Sequence, residues 1–173
     1  MLKSYFNINA GKGPQNVPPV LLDGQPVIMT SEFRYLGHIL TSDLKDNQDI
    51  ERLRRSIFIV GNMIARKFFK ASRDVKTSLF RSYCQSFYTC QLWTDYTRRA
   101  HDGIRVTNNN IFRHLMGFKR WCSASGMFAE ARFNTFIAIQ RSRIASFLSR
   151  AGKSRNDIVR GLAERLFLTK SYK

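Results

Sequence analysis

The sequence has few acidic residues, few prolines and no long hydrophobic run, and these shortages exclude several classes of protein. Its 173 residues hold 12 Asp and Glu against 29 Lys and Arg, a formal net charge of +17. A membrane span needs a run of about 18 apolar residues, which is absent. No hydrophobic segment of a secretory signal follows Met1. The three scattered cysteines do not fit a disulfide framework, so we expect a reducing intracellular compartment, nuclear or cytoplasmic.

The excess positive charge lies after Glu51. Residues 52–173 contain 25 basic and 6 acidic side chains, whereas residues 41–51 are acidic and residues 1–40 are nearly neutral. The sequence is also 43% hydrophobic and 13% aromatic, which is too apolar for a basic disordered tail. Such charge on a chain that can fold indicates a polyanionic partner. Nucleic acid is the first candidate and an anionic membrane surface the second.

The N-terminal 42 residues predict short β-strands. All the prolines lie between Pro14 and Pro26, and a proline inside a helix costs about 3 kcal/mol. Residues 20–28 predict a β-hairpin around Asp23-Gly24, because this pair tolerates the positive φ of a tight turn. Residues 33–40 predict a second strand, and residues 1–7 a further one. So small a unit cannot bury a face alone, and we expect it to pack on the helical part of the chain or on a larger sheet absent from it.

Helical periodicity begins near residue 46. Apolar residues at positions 50, 53, 57, 60, 64 and 68 form one stripe of a helix over 47–71, and the acidic residues that begin it complement its dipole. Further helices are predicted over 72–96, 102–116, 125–132 and 134–150, and a capping pattern at 154–157 begins a sixth. The predicted fold is mainly α: a short N-terminal β-hairpin with strands (1–42), a helical pair (43–100) and a C-terminal helical extension (101–173), with about five or six helices in a bundle.

Patterns typical of catalytic or metal sites are scarce. Two-metal polymerases and nucleases need clustered carboxylates, but after Glu51 the acidic residues stand at least seven positions apart. The cysteines and histidines lack the close spacing of a zinc site, and the glycine-rich stretch at 11–13 lacks the Lys-Ser/Thr of a phosphate loop. Cys122 as a nucleophile would need a base such as His114, which nothing local supports. We therefore predict no catalytic residue, metal or cofactor.

The positive signal is a set of basic residues on the first two predicted helices. Arg52, Arg55 and Arg66 fall on one side of the first helix, and Arg73 and Lys76 lie beside the positively polarised N-terminus of the second. A phosphate strand crossing this corner would be held by the cations and by backbone N–H groups together, although basic helices are also found as plain solvated faces. The candidate residues are Arg52, Arg55, Arg66, Lys67, Lys70, Arg73 and Lys76.

An ordered set of short motifs resembles a known family. The string Phe33-Arg34-Tyr35-Leu36-Gly37, followed by a polar turn, an acidic cap and a long Arg-rich helix, is similar to the segment just after the catalytic palm in reverse transcriptases of non-LTR (LINE-type) retrotransposons. The resemblance covers nearly all of the chain. Other motifs that look like this family are Asp49-Ile50-Glu51-Arg52, Phe80-Arg81-Ser82-Tyr83-Cys84, Cys90-Gln91-Leu92-Trp93 and Asn109-Asn110-Ile111-Phe112-Arg113.

The resemblance implies a primer-grip strand followed by the helical thumb of an RNA-directed DNA polymerase. In that family the aromatic-x-Tyr-Leu-Gly strand holds the primer end, which points to Tyr35, Leu36 and Gly37, and the thumb clamps template and growing DNA. The catalytic Asp-Asp pair has no counterpart, since none occurs anywhere in this chain. We therefore expect a truncated, post-catalytic fragment without enzymatic activity. It would bind template–primer RNA and DNA, with a palm domain supplied elsewhere.

Two other functions stay open. The first is a helical protein-interaction module whose basic face is incidental, which exposed apolar surface around residues 17–40 would favour. The second is a complete enzyme of an unrelated kind, such as a thiol enzyme that uses Cys122.

Overall fold

The computed structural model describes residues 4–6 and 18–170, and it confirms a mainly α fold with short strands at the N-terminal side. A π-helical segment, Phe80–Cys84, continues directly from the second helix. The glycine-rich stretch at 11–13 lies outside the described residues, and the division into three segments stays a prediction. The described helices are α1 (Asn47–Lys67), α2 (Arg73–Leu79), α3 (Arg98–Met116), α4 (Ala124–Glu130), α5 (Phe136–Gly152) and α6 (Asp157–Lys170).

The described strands form three separate pairs. The predicted hairpin is confirmed, because Asp23 and Gly24 have φ values of 51° and 74° between β2 and β3. The prediction of a single strand over 33–40 is wrong. Leu36 and Gly37, at φ values of 47° and 83°, turn the chain, so this segment is itself an antiparallel hairpin. The pairs are β1 (Ser4–Phe6) parallel to β4 (Ile28–Thr30), β2 (Leu21–Leu22) with β3 (Gln25–Pro26), and β5 (Glu32–Tyr35) with β6 (His38–Thr41).

The core lies chiefly between α1 and α3. The predicted apolar stripe of α1 is largely confirmed, because its first three members are buried, while Phe68 at its end is 39% exposed. The two helices approach so closely at Gly61 that a Cβ there would lie 2.3 Å from Cγ2 of Ile111. Four phenylalanine rings extend this core, with centroids 4.7–6.1 Å apart: Phe80, Phe112, Phe128 and Phe133.

The prediction of a second helix reaching residue 96 is wrong. Helical structure ends at Cys84, and Phe87 and Thr89 both have positive φ, at 35° and 71°. The apolar spacing continues past that point because Phe87, Cys90 and Trp93 are all buried, although they lie in an irregular segment. Spacing alone does not separate a helix from a loop that buries the same number of side chains.

The irregular segment is fixed by the buried carboxylate of Asp49. This side chain accepts hydrogen bonds from Trp93 Nε1 at 2.9 Å and Thr89 Oγ1 at 3.0 Å, and also from the backbone N–H of Ile39 at 3.2 Å. Arg52 adds two bonds, from Nε at 2.9 Å and Nη2 at 2.8 Å. One carboxylate thus joins α1, the β5–β6 hairpin and residues 85–97. We call these five residues the Asp49 network.

A second buried carboxylate, Asp46, supports the same junction. It accepts the backbone N–H groups of Thr94 at 2.7 Å and Asp95 at 3.0 Å. The ring of His38 lies between the two acids, with Nε2 3.4 Å from Asp46 and Nδ1 3.1 Å from Asp49. The acidic residues at the start of α1 are predicted to complement its dipole, and the structure gives Asp46 and Asp49 this additional, buried role.

The two carboxylates differ in pKa because their partners differ. Burial raises the pKa of Asp49, but hydrogen bonds from Trp93 and Arg52 and the charge on His38 outweigh it, so the net pKa lies below the ordinary value. Burial also raises the pKa of Asp46, and there the bonds from Thr94 and Asp95 do not compensate. Asp49 therefore stabilises the fold in its ionised form.

The boundaries of α3 and α5 lie within four residues of the predicted ones. A side-chain hydrogen bond caps the N-terminus of each helix. Thr97 caps α3 through Ala100 N–H, and Thr135 caps α5 through Ala138 N–H. At α6 the capping oxygen belongs to Asn156, which accepts the N–H of Ile158 at 2.9 Å. The predicted capping box beginning at Ser154 is thus two residues early.

Replacing Gly61 by alanine tests the close approach of α1 and α3. The added methyl group would meet Ile111, and overpacking of this kind costs about 1–3 kcal/mol. Gly103→Ala is the matched control, since its Cβ would have an ordinary 3.5 Å contact with Arg54 and alanine favours a helix. Urea unfolding should show a lower midpoint for Gly61→Ala only. An unchanged midpoint for Gly61→Ala would contradict the packing.

Replacing Asp49 by asparagine tests the network. We expect a loss of about 2–4 kcal/mol at pH 7, because buried donors lose a charged acceptor. Asp74→Asn is the control, since Asp74 is an exposed carboxylate in the first turn of α2. The Asp49 contribution is present above its unfolded pKa near 4 and disappears as pH falls through the lowered folded pKa. The difference between wild type and Asp49→Asn should therefore shrink below pH 4, and a constant difference would contradict this account.

Candidate nucleic-acid interface

One exposed side of α1 carries both cations and apolar side chains. Arg52 and Arg55 line an open groove of about 700 Å³ between α1 and the β5–β6 hairpin. Arg66 and Lys67 line a second groove of about 740 Å³ farther along, and Ile59 borders both. The basic residues predicted to share one side of this helix therefore line adjoining grooves.

The basic residues in the first half of α1 are already paired with carboxylates. Arg52 holds Asp49, and Nε of Arg55 lies 2.9 Å from Glu51. Arg54 also binds Glu51, at 2.6 Å. The hydrogen bond from Arg54, with the further bond from Arg55, lowers the pKa of Glu51 to about 2, so this carboxylate is ionised at neutral pH. Much of the positive charge here is neutralised within the chain.

Where α1 ends and α2 begins, most of the cations have no carboxylate partner among the described residues. We call Arg66, Lys67, Lys70, Arg73 and Lys76 the basic corner. Arg73 pairs with Glu130 at 3.2 Å and lies 4.8 Å from the ring centroid of Phe118. In the part of the chain that the structure describes, none of the other four lies within ion-pair distance of a carboxylate.

Phe69 contacts two of the three lysines of the corner. Nζ of Lys76 donates to the carbonyl oxygen of Phe69 at 2.9 Å, and Nζ of Lys70 lies 5.5 Å from the centre of the Phe69 ring. The ring itself is 65% exposed. An ammonium group has three N–H donors, so Lys76 keeps donors for an external anion. The α2 N-terminus is occupied by its own cap, since Ser72 accepts the N–H of Val75.

The residues predicted to hold a primer end occupy the turn of the β5–β6 hairpin. Tyr35 and Leu36 are 57% and 73% exposed. Gly37 faces inward, and a Cβ there would lie 3.2 Å from the ring of Tyr88. The close approach that glycine allows at this position is thus made to Tyr88 of the same chain.

The structure sets the hairpin and the basic corner far apart along α1. The hairpin is tied to Asp49, and 17 residues separate Asp49 from Arg66 in the same helix. At 1.5 Å per residue this is about 25 Å. A duplex contacting both would span about seven base pairs at 3.4 Å each.

Exposed apolar residues on the same face were missed by the sequence reasoning. Phe58, Ile59 and Met63 are 54%, 66% and 42% exposed and line the groove that contains Arg66. The sequence indicates their exposure, because all three are apolar residues that lie off the stripe that α1 buries. Phe69 belongs to the same class, at the end of the helix.

The described residues show little that resembles a catalytic centre. No cluster of three or more His, Cys, Asp or Glu side chains among them is arranged to hold a metal ion. Burial raises the pKa of Cys84 to about 12 and that of Cys90 to about 11, so neither is a thiolate at neutral pH. Within the same residues, no helix has the length and hydrophobicity needed to cross a membrane.

Comparison of the chain with protein-family models, with curated proteins and with solved structures finds no match. The resemblance to non-LTR reverse transcriptases therefore rests on the sequence motifs alone, and function has to be argued from geometry and charge.

Proposed function

We propose that this protein binds template–primer nucleic acid through phosphate contacts at the basic corner, as the thumb-like part of an RNA-directed DNA polymerase from a mobile element. The observation that carries the proposal is that four cations where α1 ends and α2 begins, Arg66, Lys67, Lys70 and Lys76, have no ion-pair partner among the described carboxylates. The proposal assigns no catalytic step to this chain, because the family's Asp-Asp pair is absent from it. It places the protein in the nucleus or cytoplasm.

The unpaired cations favour a polyanion over plain solvation. Clustered positive charges repel one another, and a phosphate strand relieves that repulsion while releasing condensed counterions. Contacts of this kind are sequence-independent, and we expect Kd values of roughly 10⁻⁴–10⁻⁶ M near physiological salt. The exposed ring of Phe69, with Lys70 beside it, is placed to stack on a base or sugar at an end or a distortion of the duplex.

The pairing pattern ranks the candidate residues. Arg66, Lys67, Lys70 and Lys76 should contribute most, because no described carboxylate competes for them. Arg73 should contribute less, since Glu130 competes with phosphate for its guanidinium. Arg52 and Arg55 belong to internal ion pairs, so their replacement should affect folding more than binding.

The double variant Arg66→Gln/Lys67→Gln tests this ranking. Both side chains are exposed in the last turn of α1. Binding to an RNA–DNA hybrid should weaken, and the slope of log K against log salt should fall by about 0.9 for each lost phosphate contact. Fluorescence anisotropy between 50 and 200 mM salt measures both quantities.

The matched control is Arg98→Gln/Arg99→Gln, which removes the same charge from exposed positions at the start of α3. Its salt slope should stay close to that of the wild type. Equal losses in the two double variants would show that only net charge matters, and a wild-type slope of zero would contradict phosphate binding altogether.

Exposed apolar strands favour a second candidate function, docking on a palm domain or another protein. Both residues of β2 are exposed, Leu21 at 61% and Leu22 at 50%, and Ile28 and Met29 of β4 are 72% and 48% exposed. This is the exposed apolar surface around residues 17–40 that the interaction-module alternative requires. Side chains of this kind are normally covered, since burial gives about 25 cal/mol per Å².

Association measured by analytical ultracentrifugation tests the docking surface. We expect concentration-dependent self-association of the isolated protein, weakened by Leu21→Ser/Ile28→Ser because these residues form the uncovered strand surface. The control Ile158→Ser/Leu162→Ser alters similarly exposed apolar residues on α6. A protein that stays monomeric at every concentration, or equal effects of both variants, would contradict this second function.

A further inference from the structure

Two arginines line an open pocket of about 300 Å³ beside α5. Four of the lining side chains come from α5 and one from the irregular segment before α3. None carries a carboxylate. The lining residues are Gln91, Ser142, Arg143, Ser146 and Arg150.

Arg143, Ser146 and Arg150 share one face of α5 because they are spaced by three and four positions, and Ser142 lies four positions before Ser146. Arg143 is held in place by a hydrogen bond from Nη1 to the carbonyl oxygen of Phe87 at 3.1 Å. Nε of Arg150 lies 3.4 Å from the carbonyl oxygen of Ser146, one turn earlier. Both guanidinium groups are thus positioned by backbone oxygens, and each retains N–H donors for a ligand.

Gln91 supplies an independent observation. Its amide oxygen is buried and has no hydrogen-bond partner among the described residues. A buried polar atom without a partner is unfavourable and rare in a native fold. The amide oxygen and nitrogen are interchanged by rotating the group through 180°. Since Gln91 lines the pocket, this unsatisfied amide belongs to the pocket wall.

The surrounding sequence leaves the pocket positive. Residues 131–156 contain six Lys and Arg and no Asp or Glu. No ion pair with a described carboxylate involves any of these six cations. The charge at the pocket is therefore available to an external anion.

We propose that this pocket binds a phosphate group. Two guanidinium groups, two hydroxyls and an amide match the several acceptor oxygens of a tetrahedral phosphate, and arginine is the side chain best suited to oxyanions. The ligand is a phosphate group either from a nucleic-acid backbone or from free phosphate. The site uses none of the residues of the basic corner, so it can be tested independently of the function proposed above.

The test compares Arg150→Gln with Arg141→Gln in the full-length protein. Arg141 is exposed on the same helix and does not line the pocket, so both variants lose the same charge. Isothermal titration with inorganic phosphate and anisotropy with an RNA–DNA hybrid provide the two arms. We expect Arg150→Gln to weaken binding of at least one probe about tenfold, since a charged hydrogen bond is lost, and Arg141→Gln to change it less than about threefold.

The outcomes separate the sources of phosphate. A loss confined to inorganic phosphate assigns the site to a free phosphate, and a loss with the hybrid assigns it to a backbone phosphate. Ser146→Ala, which keeps the charge, should give a smaller loss in the same arm, about threefold. Equal effects of Arg150→Gln and Arg141→Gln, or no effect of Arg150→Gln on either probe, would overturn the proposal. The basic-corner variant Arg66→Gln/Lys67→Gln should leave inorganic phosphate binding unchanged, which distinguishes failure of one site from failure of the other.

Discussion

The buried carboxylate of Asp49 is the interaction on which the rest of the architecture depends. An ionised carboxylate is costly to bury unless several donors surround it, and here they come from three separate parts of the chain. The donors from Thr89 and Trp93 hold residues 85–97 against α1. The N–H of Ile39 holds the β5–β6 hairpin in the same way. The β element is therefore joined to the helices by polar contacts as well as by packing.

This arrangement also divides the cations into two groups. Close to Asp49 and Glu51, arginines are used inside the chain to balance carboxylates. At the end of α1, and again along α5, the described cations lack acidic partners and are open to solvent anions. The high net charge of the sequence is thus not one uniform surface. Among the described residues it includes a largely neutralised first half of α1 and two positive regions, which we propose bind a duplex and a single phosphate group.

The sequence predicts the regular elements and misses what depends on distant contacts. The stripe on α1 and the Asp23-Gly24 turn follow from local rules, and the structure confirms both. The second helix was overextended because buried side chains in 85–97 repeat at helical spacing, while their true cause is Asp49, about 40 positions earlier. The pocket at Arg150 was missed for the same reason, since Gln91 and α5 are adjacent only in space. Of the candidate site, charge identified the basic corner, but it could not show which arginines were already paired.

The central claim is that the cations without a carboxylate partner bind nucleic acid, whereas the cations paired with carboxylates stabilise the fold. The most direct measurement is an amide chemical-shift footprint of a short RNA–DNA hybrid on the isotopically labelled protein. The account predicts that the largest shifts fall between Arg66 and Lys76, with little change around Arg52 and Arg55. Shifts centred on Arg52 and Arg55, or spread evenly over every helix, would contradict it.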